Sequence, residues 1–331
     1  MTLAGKVTLV TGASRGVGRG IALGFGECGA TVYVTGRTSS GDGPARPGTI
    51  ESVAGEVSAA GGVGIAVRCD HALDGDIAAL FSRIERDCGR IDVLVNNAHS
   101  GFGEVADNVG RRCWELDGGV WDRMNHVGLR GHYLASVHAA RMMVARRSGL
   151  IVNVGSFASL GPMFSVAYGV GKAAVDRLTE DMSLELKPEG VAVVSLWPGF
   201  VRTELMSSLM EDATPGYRRI FSAYGESPLV SGRAAAALAG DPKILRASGR
   251  CLISAEVAAR HGLLEEDGKR PLSPRSLRRL VRAVLPPRWQ RLAAFAPAVN
   301  IPLFVVAPVL TRFSEILKSH GGFRSASIAG S

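Results

Sequence analysis

The chain has 331 residues, 46% hydrophobic and 21% charged, which is ample apolar mass for a core and excludes a disordered or low-complexity protein. Its 42 glycines follow no Gly-X-Y period, and Cys28, Cys69, Cys88, Cys113 and Cys251 form no CxxC pair, so a collagen and a zinc cluster are excluded and reduced thiols are expected. The net charge of +8 is lopsided, because residues 263–331 hold 11 Lys and Arg against 4 Asp and Glu and the rest is nearly neutral, unlike a nucleic-acid binder.

From Lys6 to about Ser254, nearly continuous apolar runs alternate with helical patterns. The first strand, Val7–Thr11, leads into Thr11-Gly12-Ala13-Ser14-Arg15-Gly16-Val17-Gly18 and then a helix pattern through Ile21–Cys28. A strand, a glycine turn and a helix N-terminus present bare N–H groups to a pyrophosphate. Glycine is common in turns, so it is the position after a first strand that points to a dinucleotide. The second strand, Thr31–Thr35, ends at Gly36-Arg37. In a dinucleotide fold this tip lies beside the adenine ribose, where Arg suits a 2′-phosphate and an acid would suit a 2′-hydroxyl. Arg15 and Arg37 are expected to clamp that phosphate, so NADP(H) is preferred, with NAD(H) possible. Asp70 follows the third strand, Val63–Val67, as a partner for the adenine amino group or as a turn or N-cap residue.

A helix over Ile77–Cys88 and a strand at Val93–Asn96 come next, then a long helix over Trp121–Arg147. Within it Asn125 is a poor helix former, so either a water-holding kink or a buried side chain bonded to backbone is expected. The fifth strand, Ile151–Val154, is followed by Gly155-Ser156. A hydroxyl at a strand's carboxyl end faces the crevice where such sheets bind ligands, although turn-capping serines are common too. Tyr168 and Lys172, on a helix over Ala167–Leu186, stand at i and i+4 and project from one face. An ammonium nearby lowers the pKa of a phenol, making a general acid/base. Strands at Val191–Leu196 and Cys251–Ile253 bring the total to seven. The alternation predicts an α/β fold: a Rossmann-like, doubly wound, parallel seven-stranded sheet with helices on both faces, over residues 1–262.

Thr11–Gly18, Asn96-Asn97-Ala98, Asn125, Ser156, Tyr168-x-x-x-Lys172 and Pro198-Gly199-x-x-x-Thr203 occur in an order that resembles the short-chain dehydrogenase/reductase family. The resemblance covers about residues 4–255. It implies an NAD(P)-dependent oxidoreductase acting on CH–OH and C=O groups through an Asn125–Ser156–Tyr168–Lys172 tetrad. Tyr168 would exchange the proton, Lys172 would hold the nicotinamide ribose, Ser156 would orient the carbonyl and Asn125 would hold a water. Gly12, Ser14, Arg15, Gly16, Val17, Gly18, Arg37, Asp70, Asn97, Tyr168, Lys172, Val201 and Thr203 would bind the cofactor. Val127–Tyr133 and Ser195–Gly199 further resemble a branch of the family with a long C-terminal extension. That branch implies NADPH-dependent reduction of apolar, steroid-like or xenobiotic carbonyls, lipid or steroid metabolism and a membrane-associated habit. A 3-oxoacyl thioester reductase and a non-enzymatic dinucleotide-binding redox sensor are the alternatives. Two departures stand out: His99 replaces the glycine of Asn-Asn-Ala-Gly, and Ser156 lies 12 residues before Tyr168, one fewer than usual. His99 is expected to line the pocket or bond to backbone rather than to catalyse.

Residues 263–331 form a basic, then apolar, extension. Lys269, Arg270, Arg275, Arg278, Arg279, Arg282, Arg288 and Arg291 precede 20 uncharged residues, Leu292–Thr311, in which Pro297, Pro302 and Pro308 oppose a straight span. Two readings stay open: peripheral membrane contact through residues 270–311, or an arm packed on the same subunit or across a dimer. No secretory signal is evident, so a cytoplasmic location is expected, with a homo-oligomer, no metal and no nucleic-acid partner.

Overall fold

The computed structural model describes residues 1–40, 48–108, 111–211, 225–278 and scattered positions within 218–221 and 281–305. Seven parallel strands form one sheet in the order β3-β2-β1-β4-β5-β6-β9, where β1 is Val7–Val10, β2 Thr31–Gly36, β3 Val63–Arg68, β4 Val93–Asn96, β5 Gly149–Val154, β6 Val191–Trp197 and β9 Cys251–Ile253. Val10 pairs with Val34 on one side and with Val95 on the other. The strand order therefore reverses at β1, and ligands bind outside the carboxyl ends of the strands at such a reversal. A separate parallel pair, β7 (Phe200–Val201) and β8 (Gly225–Glu226), lies beyond β6.

The strands are apolar at consecutive positions because both faces are covered. On one face, helices α1 (Gly16–Gly26), α2 (Ile50–Ala59) and α9 (Pro228–Ala239) pack Ile21, Phe25, Val53 and Leu238 against Val10, Val34 and Val152. On the other, α3 (Asp74–Cys88) and α6 (His132–Val144) bring Ile77, Phe81, Ala139 and Met143 to Leu9, Leu94 and Ile151, with Leu186 from the end of α7 (Val166–Leu186). Side-chain caps set several starts: Thr49 accepts from Ser52 N–H before α2, Ser165 from Tyr168 N–H before α7, and Ser227 from Leu229 N–H before α9, where Pro228 supplies a fixed φ. Shorter helices α4 (Phe102–Asn108), α5 (Gly119–Asn125), α8 (Glu204–Glu211) and α10 (Ser254–Arg260) fill the carboxyl-end loops and follow β9.

The predicted helix Trp121–Arg147 is broken. α5 stops at Asn125, a π-helical turn runs over His126–Gly131, and α6 begins at His132. Just before that turn, the Asn125 side chain donates to Trp121 O at 3.2 Å.

The described part of the extension folds back on the body. Arg202 pairs with Glu265 at 2.9 Å, and Ser227 Oγ donates to Glu266 at 2.6 Å. Arg275 of the basic run is not a free surface charge, because it makes a two-pronged pair with Glu256, at 2.5 and 2.7 Å. Arg278 donates to Ala296 O at 3.2 Å. Arg279, Arg282, Arg291 and residues 306–311 lie outside the described residues. Among the described residues, no helix is long and apolar enough to cross a membrane.

Candidate active site

The glycine loop is shaped by approach as much as by φ. Gly12 (φ +62°) lies against Ala98, whose Cα would stand 2.7 Å from a Cβ at position 12, and a Cβ on Gly18 would fall on Gly12 O and the Asn97 amide. Thr11 and Asn97 lock this arrangement. Thr11 Oγ1 accepts from Asn97 N–H at 2.9 Å and from Ala98 N–H at 3.0 Å, and Asn97 Nδ2 donates to Thr11 O and Gly12 O, both at 2.9 Å. The Asn97 side chain thus secures the loop from below.

The first turn of α1 has no acidic residue, and Arg15 makes no side-chain cap to it. Instead the Glu204 carboxylate accepts from Gly16 N–H at 3.1 Å. Thr203 stands beside it: its Cγ2 would be 3.3 Å from a Cβ on Gly16, and its hydroxyl accepts from Met206 N–H at 3.2 Å. Val201 is buried in β7. At the tip of β2, Arg15 donates to Thr38 Oγ1 at 3.0 Å, and the exposed Arg37 faces Asp70 at 3.9 Å. Asp70 Oδ1 also accepts from Ala72 N–H at 3.0 Å, the turn role weighed from sequence. Ser14 is buried and Val17 half-buried along the same loop.

The tetrad residues converge at the other end of the crevice. Ser156, extended at the end of β5, starts a short 3-10 turn over Phe157–Ser159 and accepts from Ala158 N–H at 3.2 Å. Tyr168 and Lys172 occupy the first turns of α7. The buried Lys172 donates to Val154 O at 2.9 Å, with its ammonium 6.0 Å from the Tyr168 ring centre. Burial lowers the Lys172 pKa to about 8, with Asp176 opposing. Burial raises the Tyr168 phenol above its ordinary value, and its hydrogen bond with Ser156 opposes this. The expected depression of that phenol by Lys172 is therefore not seen; desolvation of the phenolate dominates, and Tyr168 is a neutral phenol at pH 7. Asn125 Nδ2 donates to Trp121 O and Ala167 O, both at 3.2 Å, so the side chain ties α5 to the start of α7.

His99 and Phe164 meet Tyr168 edge-on, with ring centres 5.8 and 5.4 Å away. His99 Nδ1 accepts from Gly101 N–H at 3.2 Å, and its pKa is pushed to about 3 by burial, Lys172 and His132. It is a neutral, backbone-bonded wall. Phe164 adopts a left-handed backbone (φ +62°), an uncommon conformation for a bulky residue, inside the loop that is one residue short. Tyr168 and Phe164 extend an apolar cluster of Val105, Val120, Met124, Ala167 and Leu116.

Sequence reasoning missed three features. Glu204 lies directly after a motif residue but meets Gly16 only in the fold. His132 bonds Ala98 O through Nε2 at 2.9 Å and is completely enclosed, with its Nδ1 lacking a partner among the described residues. Asp176, one turn beyond Lys172, accepts from Ser195 Oγ at 2.6 Å and Trp197 Nε1 at 3.0 Å. The i, i+4 spacing of Lys172 and Asp176 was the available signal for the last.

A sheet reversing at a glycine loop, with Tyr and Lys on one helix beside a strand-end serine, defines a nicotinamide-dependent oxidoreductase. The chain matches the short chain dehydrogenase family over residues 6–214 and belongs to it. It is an NAD(P)-dependent oxidoreductase acting on CH–OH and C=O groups. It is similar to dehydrogenase/reductase SDR family member 1 of Mus musculus (43% identical over 93% of this chain and 98% of the mouse protein). The Homo sapiens protein of the same name is 41% identical over the same shares. The 3-oxoacyl-acyl-carrier-protein reductase FabG of Vibrio harveyi is 37% identical over 64% of this chain and 80% of its own. Among solved structures, a short-chain type dehydrogenase/reductase from Mycobacterium marinum aligns with TM-score 0.64 and 27% identity, covering 76% of this chain and 94% of its own. A hydroxysteroid dehydrogenase from Escherichia coli, at TM-score 0.63 and 24% identity, covers 76% and 96% and shares the fold.

Proposed function

We propose that the protein is an NADP(H)-preferring carbonyl reductase and alcohol dehydrogenase for apolar, steroid-like or xenobiotic ketones. The observation that carries this is the setting of Tyr168: its phenol meets Ser156 while its ring continues the apolar cluster of Val120, Met124 and Phe164. The glycine loop fits the cofactor, since Gly12 and Gly18 pack too closely on Ala98 and Asn97 for any side chain, and the Gly16 N–H at the start of α1 already holds an anionic oxygen, that of Glu204. Gly12, Ser14, Gly16, Val17 and Gly18 would hold the pyrophosphate, Arg15 and Arg37 the 2′-phosphate, Asp70 the adenine, and Asn97, Val201 and Thr203 the nicotinamide end. The bound nicotinamide supplies the hydride. Ser156 hydrogen-bonds the ketone oxygen and Tyr168 transfers its phenolic proton to that oxygen as charge develops. Lys172 keeps a cation behind the phenol and would hold the nicotinamide ribose.

Tyr168→Phe removes the proton alone. Its turnover of NADPH with cyclohexanone or estrone is expected to fall about 10²–10⁴-fold, with NADPH affinity near normal. Residual activity within about threefold of wild type would place the chemistry elsewhere. The FabG relatives favour a second substrate class, a 3-oxoacyl thioester. Acetoacetyl-CoA in the same assay separates the two, and turnover of any substrate rules out a mere redox sensor.

A cytoplasmic enzyme with peripheral membrane contact through residues 270–311 is part of this reading. Trp289, Leu292, Phe295 and Val299 support it, because these large apolar side chains are exposed, Phe295 at 85%. Flotation of the full chain on anionic liposomes, weakened but not abolished by salt, is the expected result. A protein that stays at the bottom at low salt would refute it. A homo-oligomer would cover the exposed Trp121 and Tyr133 of α5 and α6.

A further inference from the structure

The turn that carries Ser156 is wedged between the sheet and the C-terminal extension. Phe157, the next residue, is buried edge-on against Trp197, ring centres 5.2 Å apart, together with Ile253 and Ala255. Trp197 is fixed from the sheet side, its indole N–H shared between Asp176 at 3.0 Å and Ser195 Oγ at 3.1 Å. From the outside, Leu303 packs on the same cluster beside Leu160.

Leu303 is 146 residues from Phe157 in sequence, so something must hold it there. Glu256, in α10, gathers the arm. Its carboxylate accepts from Arg275 through two nitrogens, from Ser273 Oγ at 2.7 Å and from Asn300 Nδ2 at 3.2 Å. Backbone bonds Leu277 N–H to Val299 O and Ile301 N–H to Arg275 O, both 2.9 Å, pin the two segments side by side. A second point of pressure lies on the next strand end. Pro274 Cγ would be 3.1 Å from a Cβ on Gly199, in the Pro198-Gly199 turn that leads to Val201 and Thr203. One arm therefore touches the turns leaving β5 and β6, which flank the crevice.

We infer that the two arm segments 273–278 and 299–303 are part of the active-site frame, and that Leu303 is a positioning residue which sets Ser156 through the cluster around Phe157. The inference rests on the proposed role of Ser156 in orienting the carbonyl. Ser156 is extended, and its hydroxyl accepts from Ala158 N–H of its own turn and bonds the Tyr168 phenol, so the turn's placement decides where that hydroxyl meets the phenol. Misplacement by a fraction of an ångström is enough to lower the rate, because the hydrogen bond to a developing oxyanion is strongly geometric.

The test uses the full chain with Leu303→Ser and Leu303→Met. Leu303→Ser is expected to lower kcat for cyclohexanone about tenfold while NADPH affinity stays within about twofold, since the pyrophosphate cradle lies elsewhere. Leu303→Met, similar in volume and apolar, should restore the rate. An unchanged kcat, or kcat and NADPH affinity lost together, would overturn the inference. Should wild type reduce no ketone, the functional reading fails, and hydrogen exchange decides the arm separately. Faster exchange over residues 155–160 in Leu303→Ser at unchanged melting temperature supports it, and unchanged exchange there sinks it. Leu303→Ala carries the same readouts if the serine variant does not fold.

Discussion

The Glu204 carboxylate and the Gly16 amide share a hydrogen bond of 3.1 Å across 188 residues of sequence. That amide opens α1, whose first turn has no acid of its own. A carboxylate there satisfies an unpaired donor and complements the positive end of the helix, which is the same service a pyrophosphate performs. Both anions cannot take the one N–H, and together they repel. Glu204→Gln is therefore expected to tighten NADP(H) binding about threefold to tenfold, measured by cofactor fluorescence. Weaker binding in the variant would mean that Glu204 braces the loop and does not compete.

Arg37 decides the cofactor's identity in this reading. It is 59% exposed at the end of β2, and its visible partner Asp70 is 3.9 Å away, a loose pair that a phosphate can replace. A forked bond to a 2′-phosphate contributes about 1.5–3 kcal/mol, or roughly 10–150-fold in kcat/KM. Arg37→Asp should shift the NADPH/NADH ratio of kcat/KM by that factor. A wild type already preferring NADH tenfold would end the argument.

Much of this was legible because it is local. Gly12–Gly18, Tyr168 with Lys172, and Ser156 after β5 are short patterns tied to one strand end or one helix face, and the apolar runs fix a doubly wound sheet. What stayed hidden depends on contacts between distant segments. Nothing near Glu204 or Leu303 tells that one reaches Gly16 and the other the cluster of Phe157 and Trp197. Asn125 marked a weak point in a helix, but its bond to Ala167 O needs α7 in place. The basic run misled in part for the same reason, since Arg275 is a charge on paper and an ion-pair partner of Glu256 in the fold.

The fold should weaken on mild acidification. His71, His99 and His132 are buried, and burial is the first cause holding their pKa values down to about 4, 3 and 3 from 6.5. Thr35 gives its proton to Val10 O at 3.3 Å, so His71 Nε2 must be the donor in their 2.9 Å bond, which fixes a neutral tautomer. With folded pKa values depressed, the unfolded chain binds these protons first as pH falls. Stability is then full above about pH 6.5 and is lost as pH drops toward 4, by about 3 kcal/mol for His71 alone. Urea midpoints measured from neutral pH to about pH 4 should fall steadily, and His71→Asn should flatten part of that slope. A midpoint that holds level over this range would contradict the assignment.

Gly171 tests how tightly the tetrad is packed. It lies inside α7, where replacing Gly by Ala normally stabilises a helix by about 0.5–1 kcal/mol. Here a Cβ would land on Asn125 Oδ1, with Asn125 Cγ 3.1 Å away. Asn125 cannot easily retreat, because its amide holds Trp121 O and Ala167 O at 3.2 Å each and the chain then enters the π-helical turn. Overpacking of this kind typically destabilises by about 1–3 kcal/mol, so the sign of the substitution reverses. Gly171→Ala should lower the melting temperature and, by moving Asn125 and the first turns of α7, lower kcat as well. Gly169, two residues earlier on the same helix, has only Ala158 O at 3.6 Å from a Cβ position and serves as the control. Gly169→Ala should be neutral or stabilising, and a Gly171→Ala protein that melts as high as this control would show that Asn125 yields.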